Sequence, residues 1–147
     1  MTAAMPNVMS NKILNFLLTG GTTPLPGSVY IGLSTSSPGA SGSIAGEPTI
    51  GTGSYARVQI AQSTAVWSTA ASGQIANGTA SISFPQSSAA WSSGSTALTY
   101  AFLIDASSGA GTLGVIAYAP LTPATNTVNA SGITVTIPIS NLTFTLA

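Results

Sequence analysis

The apolar positions of this chain follow two periods, one after the other. Near the start they recur at helical spacing: Ile13, Leu14, Leu17 and Leu18 share one face, and Phe16 widens it. Ser10 stands where an N-cap belongs, Met9 and Leu14 where a hydrophobic staple would sit, and Gly20 where a helix stops. The pattern predicts a short helix over residues 11–19. A helix of that length is not stable alone. It therefore either plugs one end of the domain or docks on a neighbouring subunit, and residues 1–9 before it read as an arm that orders only against something else.

After Gly20 the period becomes two. Strands are predicted at residues 29–33, 55–60, 65–67, 80–84, 100–104, 113–118, 127–128, 133–137 and 142–146. The 55–60 run alternates cleanly, with Tyr55, Arg57 and Gln59 on one face and Ala56, Val58 and Ile60 on the other. The densest apolar material lies at residues 97–119 and predicts a central hairpin. Its two apolar runs flank a cluster of turn formers beginning at Asp105, where Gly109 and Gly111 can take the positive φ a tight connection needs. Asn77-Gly78 signals a second turn, Pro85 ends a strand, and residues 23–27 form a proline-stiffened connector. Residues 34–53 are a Ser/Gly/Pro loop of a length usually kept for function or an interface. The fold class expected is mainly β: an antiparallel, jelly-roll-like β-sandwich of about eight or nine strands with one short N-terminal helix. Residues 1–20 would form the arm and helix, and 21–147 a single sandwich domain.

Charge alters the functional picture more than any motif does. Only 3% of the residues are charged, namely Lys12, Glu47, Arg57 and Asp105, against roughly 25% in an ordinary globular protein. The hydrophobic share of 44% and the mean hydropathy of +0.47 are those of a chain that folds. Copies of such a molecule barely repel one another, so the composition favours association. Two cations cannot neutralise a nucleic-acid backbone, which argues against nucleic-acid binding. There is no cysteine and no histidine, which removes disulfides, thiolate or imidazole metal sites and histidine acid–base chemistry. No apolar stretch approaches the roughly 20 residues of a membrane span, and the N-terminus is a poor match to a signal peptide because it lacks an early basic region and its apolar patch sits after Lys12 and ends at Gly20.

The motifs resembling chemistry have simpler explanations. Gly109-Ala-Gly111-Thr-Leu-Gly114 spells a dinucleotide-binding fingerprint but runs into a strand rather than a helix, so a hairpin turn is expected. Glu47 and Asp105 are the only carboxylates available to a glycosidase. With two acids and two bases in all, either is more economically a structural partner of Arg57, pinning the long loop to the sheet. Thr134 with Thr136, and Thr143 with Thr145, could form a sugar- or ice-binding face, although Thr is simply a favoured strand residue. Trp67, Trp91 and Tyr55 could stack on sugars, yet packing is the more frequent use of such side chains. The interface candidates are Ile13, Phe16, Leu17 and Trp91. Catalytic, cofactor-binding and metal-binding residues are expected to be none.

Several segments together resemble a known family. Lys12-Ile-Leu-Asn-Phe-Leu, Val29-Tyr-Ile-Gly-Leu-Ser-Thr-Ser-Ser-Pro38, Glu47-Pro48, Tyr55-Ala-Arg-Val58, Trp67, Asn77-Gly-Thr-Ala-Ser-Ile-Ser-Phe-Pro85, Ala101-Phe-Leu-Ile-Asp105 and Ala119-Pro-Leu-Thr122 are similar to small structural proteins of tailed bacteriophages. Members are often labelled tail fibre proteins, and some are expected to be capsid cement or decoration proteins. The chain departs from the family in its very low charge and in Asn15 and Leu18 of the helix. The resemblance implies a non-enzymatic subunit on the outer surface of the virion, on capsid or tail. The reading it favours is a capsid cement protein, assembled with itself as a trimer and bound to the major capsid protein through the arm and the 34–53 loop, without nucleic acid or membrane as partner. A tail fibre or tail-tip subunit is the alternative, and a carbohydrate-binding β-sandwich module the alternative of another class.

Overall fold

In chain order the elements are α1 (Asn7–Thr19), β1 (Val29–Ser34), β2 (Val58–Ile60), β3 (Gln74–Ala76), β4 (Ile82–Ser83), β5 (Tyr100–Ile104), β6 (Val115–Pro120), β7 (Thr136–Ile137) and β8 (Thr143–Thr145). This is a computed structural model, and it describes residues 5–19, 26–63, 65–71, 74–121 and 127–145. Residues 1–4 of the expected 1–9 arm, the helix stop at Gly20, most of the 23–27 connector and the end of the last strand lie outside the described residues.

The protein is mainly β, with antiparallel sheets and one helix. A four-stranded antiparallel sheet runs in the order β2-β1-β5-β6, and two small ribbons pair β3 with β8 and β4 with β7. The jelly-roll-like sandwich of the sequence reading is thus met at the coarser level of antiparallel β. β1 and β5 occupy the interior of the sheet, which explains their near-continuous burial and the lack of alternation in VYIGLS and YAFLI. One face carries Ile31, Leu33, Ala101 and Leu103 into a core shared with Ile82, Phe84, Leu98, Val128, Val135, Ile137 and Leu142. The other face carries Phe102, Ile104 and Val115, covered by Ile44 and by half-buried Tyr30 and Tyr118. Gly32 lies opposite Phe102, and any Cβ there would collide with the Phe102 ring, so the strand needs glycine at this step.

The hairpin expected at residues 97–119 is present, but it is not central. β5 is an interior strand, whereas β6 forms one edge of the sheet. Leu103 pairs with Ala117 and Ile104 with Val115, leaving Ile116 as a bulge residue. The bulge turns Ile116 toward the shared core and Val115 toward the opposite face. Gly109, Gly111 and Gly114 all have positive φ, and the strand into which they run settles the fingerprint question in favour of a hairpin connection.

Other expectations are corrected by long-range contacts. The helix starts at Asn7 rather than after Ser10, because buried Pro6 anchors it: the N–H groups of Met9 and Ser10 donate to Pro6 O, and the Asn7 N–H donates to Ala40 O in the long loop. Ser10 therefore lies inside the helix. Residues 65–67 form a turn, with Val66 and Trp67 donating to Ser63 O, and not a strand. Residues 127–128 are not a strand, although Val128 O accepts from the Trp91 N–H. β3 escaped the sequence reading, and the 133–137 run is a strand only at its end.

Asn77-Gly78 is not a two-residue hairpin turn, since the strands on either side of it pair with different partners. Asn77 is instead a buried hub. Its amide donates to Ala80 O and Pro138 O, its side-chain oxygen accepts from the Leu142 N–H, and its backbone bonds Leu142 and Ser140. One side chain thereby holds the β3–β4 link against the β7–β8 link.

Candidate functional site

The four charged residues come together in two separate places. Glu47, near the end of the long loop, meets Arg57 just before β2. Arg57 Nη2 lies 2.7 Å from Glu47 Oε2 and Nε 2.8 Å from Oε1, a two-pronged pair with the side chains 0% and 7% exposed respectively. Arg57 Nη1 donates to Ala106 O at 2.8 Å, and the guanidinium sits 5.5 Å above the Phe102 ring. The Tyr55 hydroxyl accepts from the Leu33 N–H (2.9 Å) and donates to Glu47 Oε1 (3.0 Å). Burial, reinforced by the neighbouring carboxylate, pushes the Tyr55 phenol far above the ordinary tyrosine range. The cluster ties loop, sheet and hairpin together.

Asp105 stands outside that pair. Its Oδ2 accepts from the N–H groups of Thr112 and Leu113, closing the β5–β6 connection. Gly111 has positive φ and lies so close to the carboxylate that a Cβ would overlap Oδ1. The two carboxylates thus bind different parts of the fold. Lys12 reaches the same connection from α1, its Nζ donating to Thr112 O and Leu113 O at 3.0 Å each.

The long loop is folded back on itself by backbone hydrogen bonds. Thr35 donates to Gly46 O, Ser43 to Pro38 O and Glu47 to Ile44 O through their backbone N–H groups, and Pro38 and Pro48 are buried. Ile44 packs on Phe102 and its neighbours. The loop serves as a cover for the second face of the sheet.

Trp91 is corrected from an interface candidate to a core residue. It is 1% exposed, its indole N–H donates to Gly53 O at 3.0 Å, and it meets Tyr55 edge-on with ring centroids 4.8 Å apart. It is closed to a sugar. Trp67 is half-buried. Thr136 and Thr143 lie in different ribbons, so the two threonine pairs do not form one platform.

Ile13, Phe16 and Leu17 lie in a different setting. The first half of α1 is fixed by Pro6 and Lys12, while Leu14, Phe16, Leu17 and Leu18 are exposed, Leu17 by 66% and Leu18 by 79%. Ile13 is half-buried. The helix does not plug the domain with these side chains. Near its base the molecule also has an open apolar groove of about 610 Å³, bordered by Met5, Trp67, Ile75, Leu103, Ile116 and Ala117. Sequence reasoning missed this groove because its walls come from stretches far apart in the chain, one of them the β6 bulge.

The described residues form an almost uncharged β scaffold, with its few ions in internal ties and its exposed large apolar residues concentrated on a helix, a surface of the kind that neighbours cover. The comparison with protein families agrees: the Podophage GP4 fiber I protein gp80 family matches residues 4–145, and the chain belongs to that family. No curated protein matches the chain.

Proposed function

We propose that the protein is a structural, non-enzymatic subunit of a bacteriophage fibre, carried on the outside of the virion and working through association with its own copies and with other virion proteins. The observation that carries this reading is the fibre-family match across nearly the whole chain. The neutral surface and the exposed apolar half of α1 support it physically, since such surfaces are stable when neighbours cover them. The assembly we favour is a closed homo-oligomer, the rule for such proteins, with the trimer taken from the family resemblance.

The capsid-cement reading has less behind it. The family description names a fibre, and the 34–53 loop, which would have gripped shell subunits, is bonded to its own sheet. Binding the major capsid protein belongs to that second reading alone. Copy number separates the two. Quantitative gel analysis of purified virions is expected to give the few copies that tail symmetry allows. Copies comparable in number to the major capsid protein would overturn the fibre reading in favour of cement.

A further inference from the structure

The exposed half of α1 is too apolar on too many sides for a flat contact. At about 100° per residue, Phe16, Leu17, Leu14 and Leu18 span roughly 200° of the helix circumference, about twice the stripe by which a surface helix normally packs. Asn11, Lys12, Asn15 and Thr19 fill the remaining arc. A helix of this kind needs walls on both flanks. The helix-in-groove mode of recognition supplies them.

A groove with matching chemistry lies on the same chain. Its walls are mainly apolar, no charged residue lines it, and its volume of about 610 Å³ is of the size that holds several large side chains. We propose that the projecting half of α1 of one copy seats in the groove of a second copy, so that Phe16, Leu17 and Leu18 lie between Trp67 on one side and Ile116 and Ala117 on the other. The proposal rests on the multi-copy assembly described above and identifies the surfaces that build it.

Two observations favour a second copy as the occupant. Neither surface contributes a charge: residues 13–19 have none and the groove has none, so there is nothing for an electrostatically complementary stranger to recognise. The second observation is proximity. Met5 borders the groove and Pro6 begins the helix, so each copy presents its helix beside its own groove. Donor and acceptor surfaces placed side by side let a ring close, with each subunit giving one helix and receiving one.

Area favours the groove over a flat contact. Four side chains lying flat against a partner bury a few hundred Å², well short of the roughly 1,200 Å² at which specific interfaces begin. Seating in a groove covers both flanks, and a ring gives every subunit two such contacts.

The test uses the full chain, which has no native cysteine. Leu17→Cys copies and affinity-tagged Ala70→Cys copies are co-expressed and oxidised. Ala70 is exposed and lines the groove, so the probe sits at its rim without disturbing the core. The expected product is a disulfide dimer joining a tagged to an untagged copy. In analytical ultracentrifugation Leu17→Glu should raise the dissociation constant at least tenfold, with an unchanged circular dichroism spectrum as proof of folding.

Cross-linking only between two Leu17→Cys copies would mean that helix pairs with helix, and would overturn the proposal. So would a wild-type chain that is monomeric at every concentration, or one that binds phosphatidylcholine vesicles as a monomer. A monomeric protein found at the tail in virions would sink the exchange while leaving the fibre reading intact. A mixed cross-link from a protein absent from the tail would do the reverse.

Discussion

Trp91→Ala is expected to lower the free energy of unfolding by about 3–5 kcal/mol, the range for truncating a large aromatic in a packed core. The side chain is 1% exposed and lies edge-on to Tyr55, which in turn stacks nearly parallel to Phe84 at 6.4 Å between ring centroids. Truncation opens a cavity among these rings. It also removes one of the two N–H groups that Gly53 O accepts, leaving the one from Ser88. Gly53 is itself required here, since its φ is positive and a Cβ would collide with the carbonyls of Ala89 and Ala90. Trp91→Phe keeps most of the volume and loses the hydrogen bond, so its cost should be smaller, about 1–3 kcal/mol. Urea unfolding followed by circular dichroism measures both. A Trp91→Ala protein as stable as wild type but unable to bind a saccharide would contradict the placement of this side chain in the core.

Arg57→Ala should cost a similar amount, about 3–5 kcal/mol, because it leaves the Glu47 carboxylate buried without its partner. The loss would exceed that of an ordinary surface pair, which is worth about 0–1 kcal/mol, since both side chains are withdrawn from water. Replacing both partners by apolar residues, Arg57→Met with Glu47→Leu, should cost less than Arg57→Ala alone, because no unpaired charge remains. The same cluster fixes an alkaline limit. The folded pKa of Tyr55 lies above its unfolded value, so the neutral phenol contributes fully to stability below about pH 10 and that contribution is lost as pH rises beyond it. Tyr55→Phe should remove this part of the alkaline loss. A Tyr55→Phe protein whose stability falls with pH just as wild type does would contradict the arrangement.

The parts of the fold that local pattern dictates were readable from the sequence. The run YAFLI is buried on both faces and is a strand over the residues expected, and the glycines after Asp105 take the positive φ a hairpin connection demands. The parts set by partners far along the chain were not readable. Pro6 fixes the helix start only because it is buried while Ala40 meets the Asn7 N–H, a contact with no local signature. Asn77-Gly78 has the composition of a tight turn, but Leu142 and Pro138 recruit Asn77 as an internal tie. The alternation at residues 55–60 identified two faces yet could not say that Tyr55 would be buried against Trp91 and Phe84 and Arg57 beneath the loop holding Glu47.

The candidate site was half legible. The scarcity of charge limited Arg57 to Glu47 or Asp105, and geometry chose Glu47 because Asp105 is occupied by the N–H groups of its own turn. Helical spacing brought out Ile13, Phe16 and Leu17, and the last two are exposed. Trp91 had no signal to separate core from surface, since a lone aromatic in a Ser/Ala/Gly loop reads the same in either place. The groove required the β6 bulge, which sequence pattern does not announce.

The most direct test of the central claim, that this is a fibre subunit working by assembly on the virion surface, is to image purified virions carrying a gold-labelled tag on the protein. The label should decorate tail-attached fibres at positions repeating with the symmetry of the tail. Label spread evenly over the head shell, with the tail bare, would contradict the account.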